Sequence, residues 1–172
     1  MTLRIGTKEL ATIFGHAAEA YPEECCGFLI GVETASREVG EVRRATNVHP
    51  DHREVRYTID PREQLRLEVE LRGTGRELLG FYHSHPDHPG RPSPFDVERS
   101  WPGYSYVIVE VRGGRPTSAR SFRIDCEKGT TREERVTVLP TGRPRPQAGG
   151  KKRGKRRARR ARNAVSARPH RG

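Results

Sequence analysis

Apolar residues recur along the first 140 positions in two rhythms, one suited to helices and one to strands. Between Thr7 and Ala20 they fall at Leu10, Ile13, Phe14, Ala17 and Ala18. This is the i, i+3, i+4, i+7 stripe of an amphipathic helix, with Thr7 placed as its N-cap. Cys26 to Val32 is a nearly unbroken apolar run and reads as a buried strand, while Arg53 to Ile59 reads as a half-polar one. Asp60-Pro61 opens a second helix, with Leu65, Leu67, Val69 and Leu71 as its apolar surface and Gly73-Thr74-Gly75 after its end. Leu78 to Tyr82, Tyr106 to Val111 and Ser118 to Ile124 read as further strands, and Arg135 to Leu139 as a last one able to close the sheet. Helices and strands mixed without strict alternation predict an α/β sandwich, a mixed sheet with flanking helices.

Charge divides the chain. Of its 172 residues, 1–142 carry 20 Lys+Arg and 22 Asp+Glu, whereas 143–172 carry 13 Lys+Arg and no acid. The whole-chain charge of +11 thus belongs to the tail and says little about the body. The expected organisation is one domain over 1–142, where apolar residues stop near Leu139-Pro140-Thr141-Gly142, followed by a basic tail over 143–172 that does not pack. A block of like charge is an electrostatic arm for nucleic acid or an acidic protein, since counterion release is blind to sequence, or else a plain solvated extension. No aromatic residue is interleaved for stacking on single strands.

The chain has neither a long apolar run nor a cleavable signal pattern, so no membrane partner is expected. Its three cysteines, Cys25, Cys26 and Cys126, are an odd number with two adjacent. Neighbours on a strand point apart and pair poorly, which fits reduced thiols and a cytoplasmic location.

The chemistry concentrates in His83-Ser84-His85-Pro86-Asp87-His88-Pro89-Gly90-Arg91-Pro92-Ser93-Pro94-Phe95-Asp96. It follows an apolar run, so it reads as a strand running out into a loop. Residues i and i+2 of a strand share a face, which lets His83 and His85 converge on one point. Two imidazoles and the Asp96 carboxylate make a three-ligand set that leaves the fourth tetrahedral position on Zn2+ open, the arrangement of a catalytic site. A His-x-His pair standing alone would read as a solvated loop.

The pair does not stand alone, because Ser93 and Asp96 complete the order H-S-H-P-x6-S-x2-D. This stretch closely resembles the signature of the JAMM (MPN-plus) metalloproteases. The resemblance covers residues 3 to 139 and implies a mixed, cytidine-deaminase-like sheet with one Zn2+ per chain held by His83, His85 and Asp96. It also implies a distal catalytic Glu. Tyr21-Pro22-Glu23-Glu24-Cys25-Cys26-Gly27-Phe28-Leu29-Ile30-Gly31 is similar to the family's E-x-C-G-x-L-x-G segment and places Glu24, rather than Glu23, in that role. Without the downstream motif, both would read as surface acids. Glu24 would serve as general base and then general acid, and the Ser93 hydroxyl would donate to the oxyanion. Ser93 as a nucleophile is the weaker alternative.

His88, His49 and His52 read as loop histidines, with His49 and His52 near the groove at most, and Trp101 as a packing residue or a pocket wall. The compact body looks most like short prokaryotic family members that act on ubiquitin-like sulfur-carrier proteins. The expected substrate is a C-terminal Gly-Gly tail laid along a sheet edge by strand addition. Two other readings stand beside this one: a catalytically idle MPN-type binding module, and a nucleic-acid-associated protein acting through its basic tail.

Overall fold

The structure, a computed structural model, describes residues 2–140. Seven strands and three helices follow in the order β1 (Thr2–Gly6), α1 (Thr7–Ala20), β2 (Cys26–Glu33), β3 (Arg37–Ala45), α2 (Pro61–Glu70), β4 (Glu77–Pro86), α3 (Pro94–Arg99), β5 (Ser105–Arg112), β6 (Arg115–Asp125) and β7 (Thr130–Leu139). The basic tail expected over 143–172 lies outside the described residues.

The sheet is mixed and flanked by helices as expected, and it closes on itself rather than staying open. Its strands run β1-β3-β2-β4-β5-β6-β7 and close into a barrel, because β7 pairs in parallel with β1 from Thr2↔Arg135 to Gly6↔Leu139. Pairing does not run the full length of every strand, since β1 covers only Arg37–Val39 of β3 and β7 only Ser121–Asp125 of β6. Through its histidine-bearing end β4 is flanked by β5 on one side, from Gly80↔Ser105 to Pro86↔Val111. On the other side lies β2, with Cys25 extending the ladder.

Apolar side chains alternate between two cores. One takes Leu29, Leu79, Tyr82, Val107 and Val109 and is covered by α1 through Ile13 and Ala17. The other takes Phe28, Ile30, Phe81, Tyr106 and Ile108 and is covered by α2 through Leu67, with Leu71 just after it. The period-2 rule puts His83 and His85 on the Phe81 side of β4, at the end of the second core.

Several local expectations differ from the structure. The N-cap of α1 is Gly6 without a side-chain cap; Thr7 is the first helical residue, and its hydroxyl donates to the Leu139 carbonyl at 3.0 Å. The α2 helix is capped by Asp60, whose carboxylate accepts from the Arg62 N–H. Leu65 and Val69 are exposed rather than packed. Residues 53–59 form no strand beyond the isolated Asn47↔Ile59 bridge. The partner that β2 requires is β3, pairing from Cys26↔Ala45 to Glu33↔Arg37.

Gly80 sits where β4 and β5 approach most closely, and an added Cβ would run into the Ser105 backbone. Gly80→Ala is therefore expected to cost about 2–3 kcal/mol in chemical denaturation, as overpacking against backbone does. Gly40→Ala in β3, where a Cβ meets nothing within 4 Å, should stay within about 1 kcal/mol of the parent protein. Equal behaviour of the two variants would refute the close β4–β5 approach.

Candidate metal centre

The site begins with strand register. Cys26 pairs with His83 in the antiparallel β2–β4 ladder. Cys25 and Ser84 continue it: the Ser84 N–H donates to the Cys25 carbonyl at 3.1 Å, and the Cys25 N–H donates to Ser84 Oγ at 2.9 Å. One further step sets Glu24 opposite His85. Glu24 is buried, whereas Glu23 is exposed and lies 3.9 Å from Arg53, so the two neighbours face opposite ways.

His83 and His85 arrive from β4 and Asp96 from α3. The Nε2 atoms of the two histidines lie 3.0 Å apart. His83 Nε2 is 3.3 Å from Asp96 Oδ1, and His85 Nε2 is 3.3 Å from Asp96 Oδ2. Among the described residues these three form the one group able to hold a metal ion, and all three are buried. Ligands at Zn–N and Zn–O distances near 2.0–2.1 Å, set tetrahedrally, stand about 3.3–3.4 Å from one another. The two His–Asp separations, made to different carboxylate oxygens, match that spacing and the 3.0 Å between the imidazole nitrogens is tighter by a few tenths, so the residues fit a zinc-sized ion.

The surrounding groups aim the ligands. His85 Nδ1 lies 2.8 Å from the Pro89 carbonyl. A carbonyl only accepts, so Nδ1 carries the proton and Nε2 keeps its lone pair toward the cluster. His83 has no such partner among the described residues, its Nδ1 being buried and unpaired. Its ring is held instead by Tyr57, stacked at 4.5 Å between centroids. Asp96 is fixed through a capping box at the start of α3: both the Ser93 N–H and the Ser93 hydroxyl donate to Asp96 Oδ2 at 2.7 Å, and the Asp96 N–H donates back to Ser93 Oγ at 3.2 Å. The hydroxyl proton assigned to an oxyanion is therefore engaged with the ligand carboxylate in this structure.

Electrostatics follows from burial. Desolvation would raise the Asp96 carboxyl, but His83, His85 and Ser93 together hold it well below the usual carboxylate range. Burial lowers His83 against the pull of Asp96. It also opposes protonation of His85, yet the Asp96 and Pro89 bonds and the Glu24 charge leave that ring above its ordinary value. Glu24 is pushed up to about 8 by burial, with His85 opposing and Asp96 adding to the rise.

Beside the cluster opens a cavity of about 350 Å³ whose walls include Glu24, Val55, His85, His88, Arg91 and Ser93. His88, expected to be merely solvated, is exposed but forms part of this wall. His49 packs edge-on against Phe95 at 5.8 Å. Trp101 is not among the wall residues; its backbone N–H donates to the Tyr106 hydroxyl at 2.6 Å. Tyr57, Asn47 and Pro89 escape the pattern of the sequence, because each acts on the site from an irregular loop.

A buried two-histidine, one-carboxylate cluster beside a buried glutamate, at the end of a mixed barrel, defines the class: a metal-binding hydrolase. Residues 7–125 match the family model described as prokaryotic homologs of the JAB domain, and the chain belongs to that family, among the JAMM-type metallopeptidases. It is 38% identical over 107 residues to the desampylase of Haloferax volcanii, covering 59% of this chain and 76% of that protein. It is 30% identical over 148 residues to the CysO-cysteine peptidase of Mycobacterium tuberculosis, covering 81% and 98%. A solution structure of a Desulfitobacterium hafniense protein superposes with a TM-score of 0.70 at 32% identity, covering 81% of this chain and 94% of that one.

The elevated Glu24 carboxyl carries a stability consequence in the metal-free protein. Its folded value of about 8 lies above its ordinary 4.5. Both states therefore hold the proton at pH 4, and burying the charge costs progressively more as pH rises through 8. Chelator-treated Glu24→Gln should melt with the parent at pH 4 and above it at pH 9, by on the order of a few kcal/mol. Identical melting of the two at pH 9 would refute the burial of that charge.

Proposed function

We propose that this protein is a zinc-dependent peptidase or isopeptidase that hydrolyses the bond following the C-terminal Gly-Gly of a small ubiquitin-like sulfur-carrier protein. One Zn2+ per chain would be held by His83, His85 and Asp96. The observation that carries the reading is the buried cluster of His83, His85 and Asp96, with each imidazole nitrogen 3.0 Å from the other and 3.3 Å from one carboxylate oxygen, beside a groove walled by Glu24. The substrate class is supported by the relatives, a desampylase and a CysO-cysteine peptidase.

When bound, zinc supplies Lewis acidity that activates water and polarises the scissile carbonyl. Glu24, buried on the groove wall, would as the carboxylate take a proton from the attacking water and return it to the leaving amine. Ser93 donates to the developing oxyanion once its hydroxyl turns away from Asp96. Its backbone N–H keeps hold of Oδ2 at 2.7 Å, so the ligand carboxylate stays in place while the hydroxyl moves. The extended substrate tail is assigned to the groove lined by Val55 and by residues of the 88–94 segment.

The peptidase body is taken as residues 1–142. The 13 Lys+Arg of 143–172 form an accessory arm whose charge supports polyanion binding. Among the described residues no helix is long and apolar enough to cross a membrane.

Two measurements test the metal and the base. His83→Ala and His85→Ala should each lose most bound zinc by metal analysis, because two remaining ligands hold the ion poorly; undiminished zinc in both variants would overturn the ligand set. Glu24→Gln should keep its zinc and lose activity by about 10²-fold or more on a peptide in which Gly-Gly is followed by one further residue. Full activity in that variant would remove Glu24 from the reaction.

A further inference from the structure

Residues 46–59 carry almost no regular structure, yet one side chain ties the segment down. Asn47 Oδ1 accepts from the His49 N–H and the Thr58 N–H, each at 3.1 Å. Its Nδ2 donates to the Arg56 carbonyl at 2.9 Å and to the Glu24 carbonyl at 3.1 Å. An amide offers two donors and two acceptor sites, and here all four are used. The loop also grips Glu24 from the other side, since the Glu24 N–H donates to the Arg53 carbonyl at 2.7 Å. Glu24 precedes the first residue of β2, so its own backbone N–H and C=O are both held by this loop rather than by the ladder.

We propose that Asn47 is a positioning residue for the reaction, acting through Glu24. It closes the 46–59 loop and clamps the Glu24 backbone so that the carboxyl stays at the metal-facing wall of the groove. The inference rests on Glu24 being the proton-transfer group. No other short polar side chain reproduces the clamp: aspartate keeps both acceptor contacts but loses both donors, and serine is too short to span from the Thr58 N–H to the Glu24 carbonyl. A catalytic group displaced by about 1 Å costs up to roughly 10²-fold in rate. None of the four Asn47 bonds reaches a metal ligand directly, but those to Arg56 and Thr58 flank Tyr57, which stacks on His83, so zinc content is the readout that separates an effect on the base from one on the donor set.

The test is a double-mutant cycle on the zinc-loaded enzyme, using Asn47→Asp, Glu24→Gln and the double variant with the Gly-Gly-containing peptide. Zinc content and hydrogen exchange of the Glu24 amide are measured alongside. Asn47→Asp should keep its zinc, lower kcat by roughly 10- to 10²-fold with KM within about 2-fold, and speed exchange of the Glu24 amide. In the Glu24→Gln background the same substitution should cost nothing further, because the group it positions is gone. If the Asn47→Asp loss reappears in full in that background, or zinc falls in proportion to activity, Asn47 is only structural and the inference fails alone. A fully active Glu24→Gln would instead overturn the base assignment, and this inference with it. Should Asn47→Asp not fold, Asn47→Ser enters the same cycle with the same expected outcomes.

Discussion

The antiparallel register between β2 and β4 is the constraint on which the site depends. Side chains directly opposite in such a ladder share a face, so pairing Cys26 with His83 determines that Glu24 and His85 meet. A slip of one residue would send the histidines to the α1 side of the sheet and leave the glutamate opposite a serine. The register is pinned at that point by the reciprocal bonds between Cys25 and Ser84. It is pinned again by a close approach, since a Cβ on Gly27 would meet the Arg43 carbonyl and the Tyr82 ring. Ser84, between the two histidines, therefore has a role of its own: it points away from the metal and locks the strand that presents it.

The third ligand is positioned on a different principle. The helix α3 has six residues, too few to be stable by propensity alone, and its first turn is fastened by a capping box. The carboxylate that closes the box is the one proposed as a ligand. Ser93 thus stabilises the helix start, orients Asp96 and draws down its proton affinity through the same two hydrogen bonds to Oδ2. That leaves Oδ1, 3.3 Å from His83 Nε2, as the less encumbered oxygen for a cation.

Much of this was legible in the sequence, because the decisive spacings are local. His83, Ser93 and Asp96 lie within fourteen positions of one another, and i, i+2 on a strand or Ser-x-x-Asp at a helix start has a single geometric meaning. What failed was non-local. The strand β3 was passed over because Arg37, Glu38, Glu41, Arg43 and Arg44 give it a charged surface reading. Arg37 is nonetheless buried, bonded to Ser105 Oγ at 2.9 Å and the Gly103 carbonyl at 2.7 Å. Residues 53–59 have the half-polar pattern of a strand, whereas Arg56 and Thr58 are bonded to a side chain, Asn47, and pattern says nothing of side-chain partners. Closure by Arg135 to Leu139 was legible as a last strand, but its partner β1 lies at the other end of the described chain, and no window of sequence contains both.

The two ends of the barrel solve the problem of buried charge in opposite ways. Away from the metal site, Arg37 donates to Ser105, whose hydroxyl donates in turn to Glu134 Oε2 at 2.7 Å, and Ser121 donates to the same oxygen at 3.0 Å. This chain joins β3, β5, β6 and β7 and brings cation and anion into one network, the condition under which buried charge is tolerated. At the other end Glu24 and Asp96 are both buried, and no lysine or arginine bonds to either carboxylate among the described residues. Of the histidines that face them, burial lowers His83 while the Asp96 and Pro89 bonds and the Glu24 charge raise His85, so the positive charge available there is titratable rather than fixed. A site assembled from two acids and two imidazoles without a fixed cation is complementary to a divalent ion, and binding one relieves the cost that folding leaves there. The network at the far end supports the barrel by itself, so the His83, His85 and Asp96 end can keep a donor set suited to a cation without costing the barrel its own charge balance.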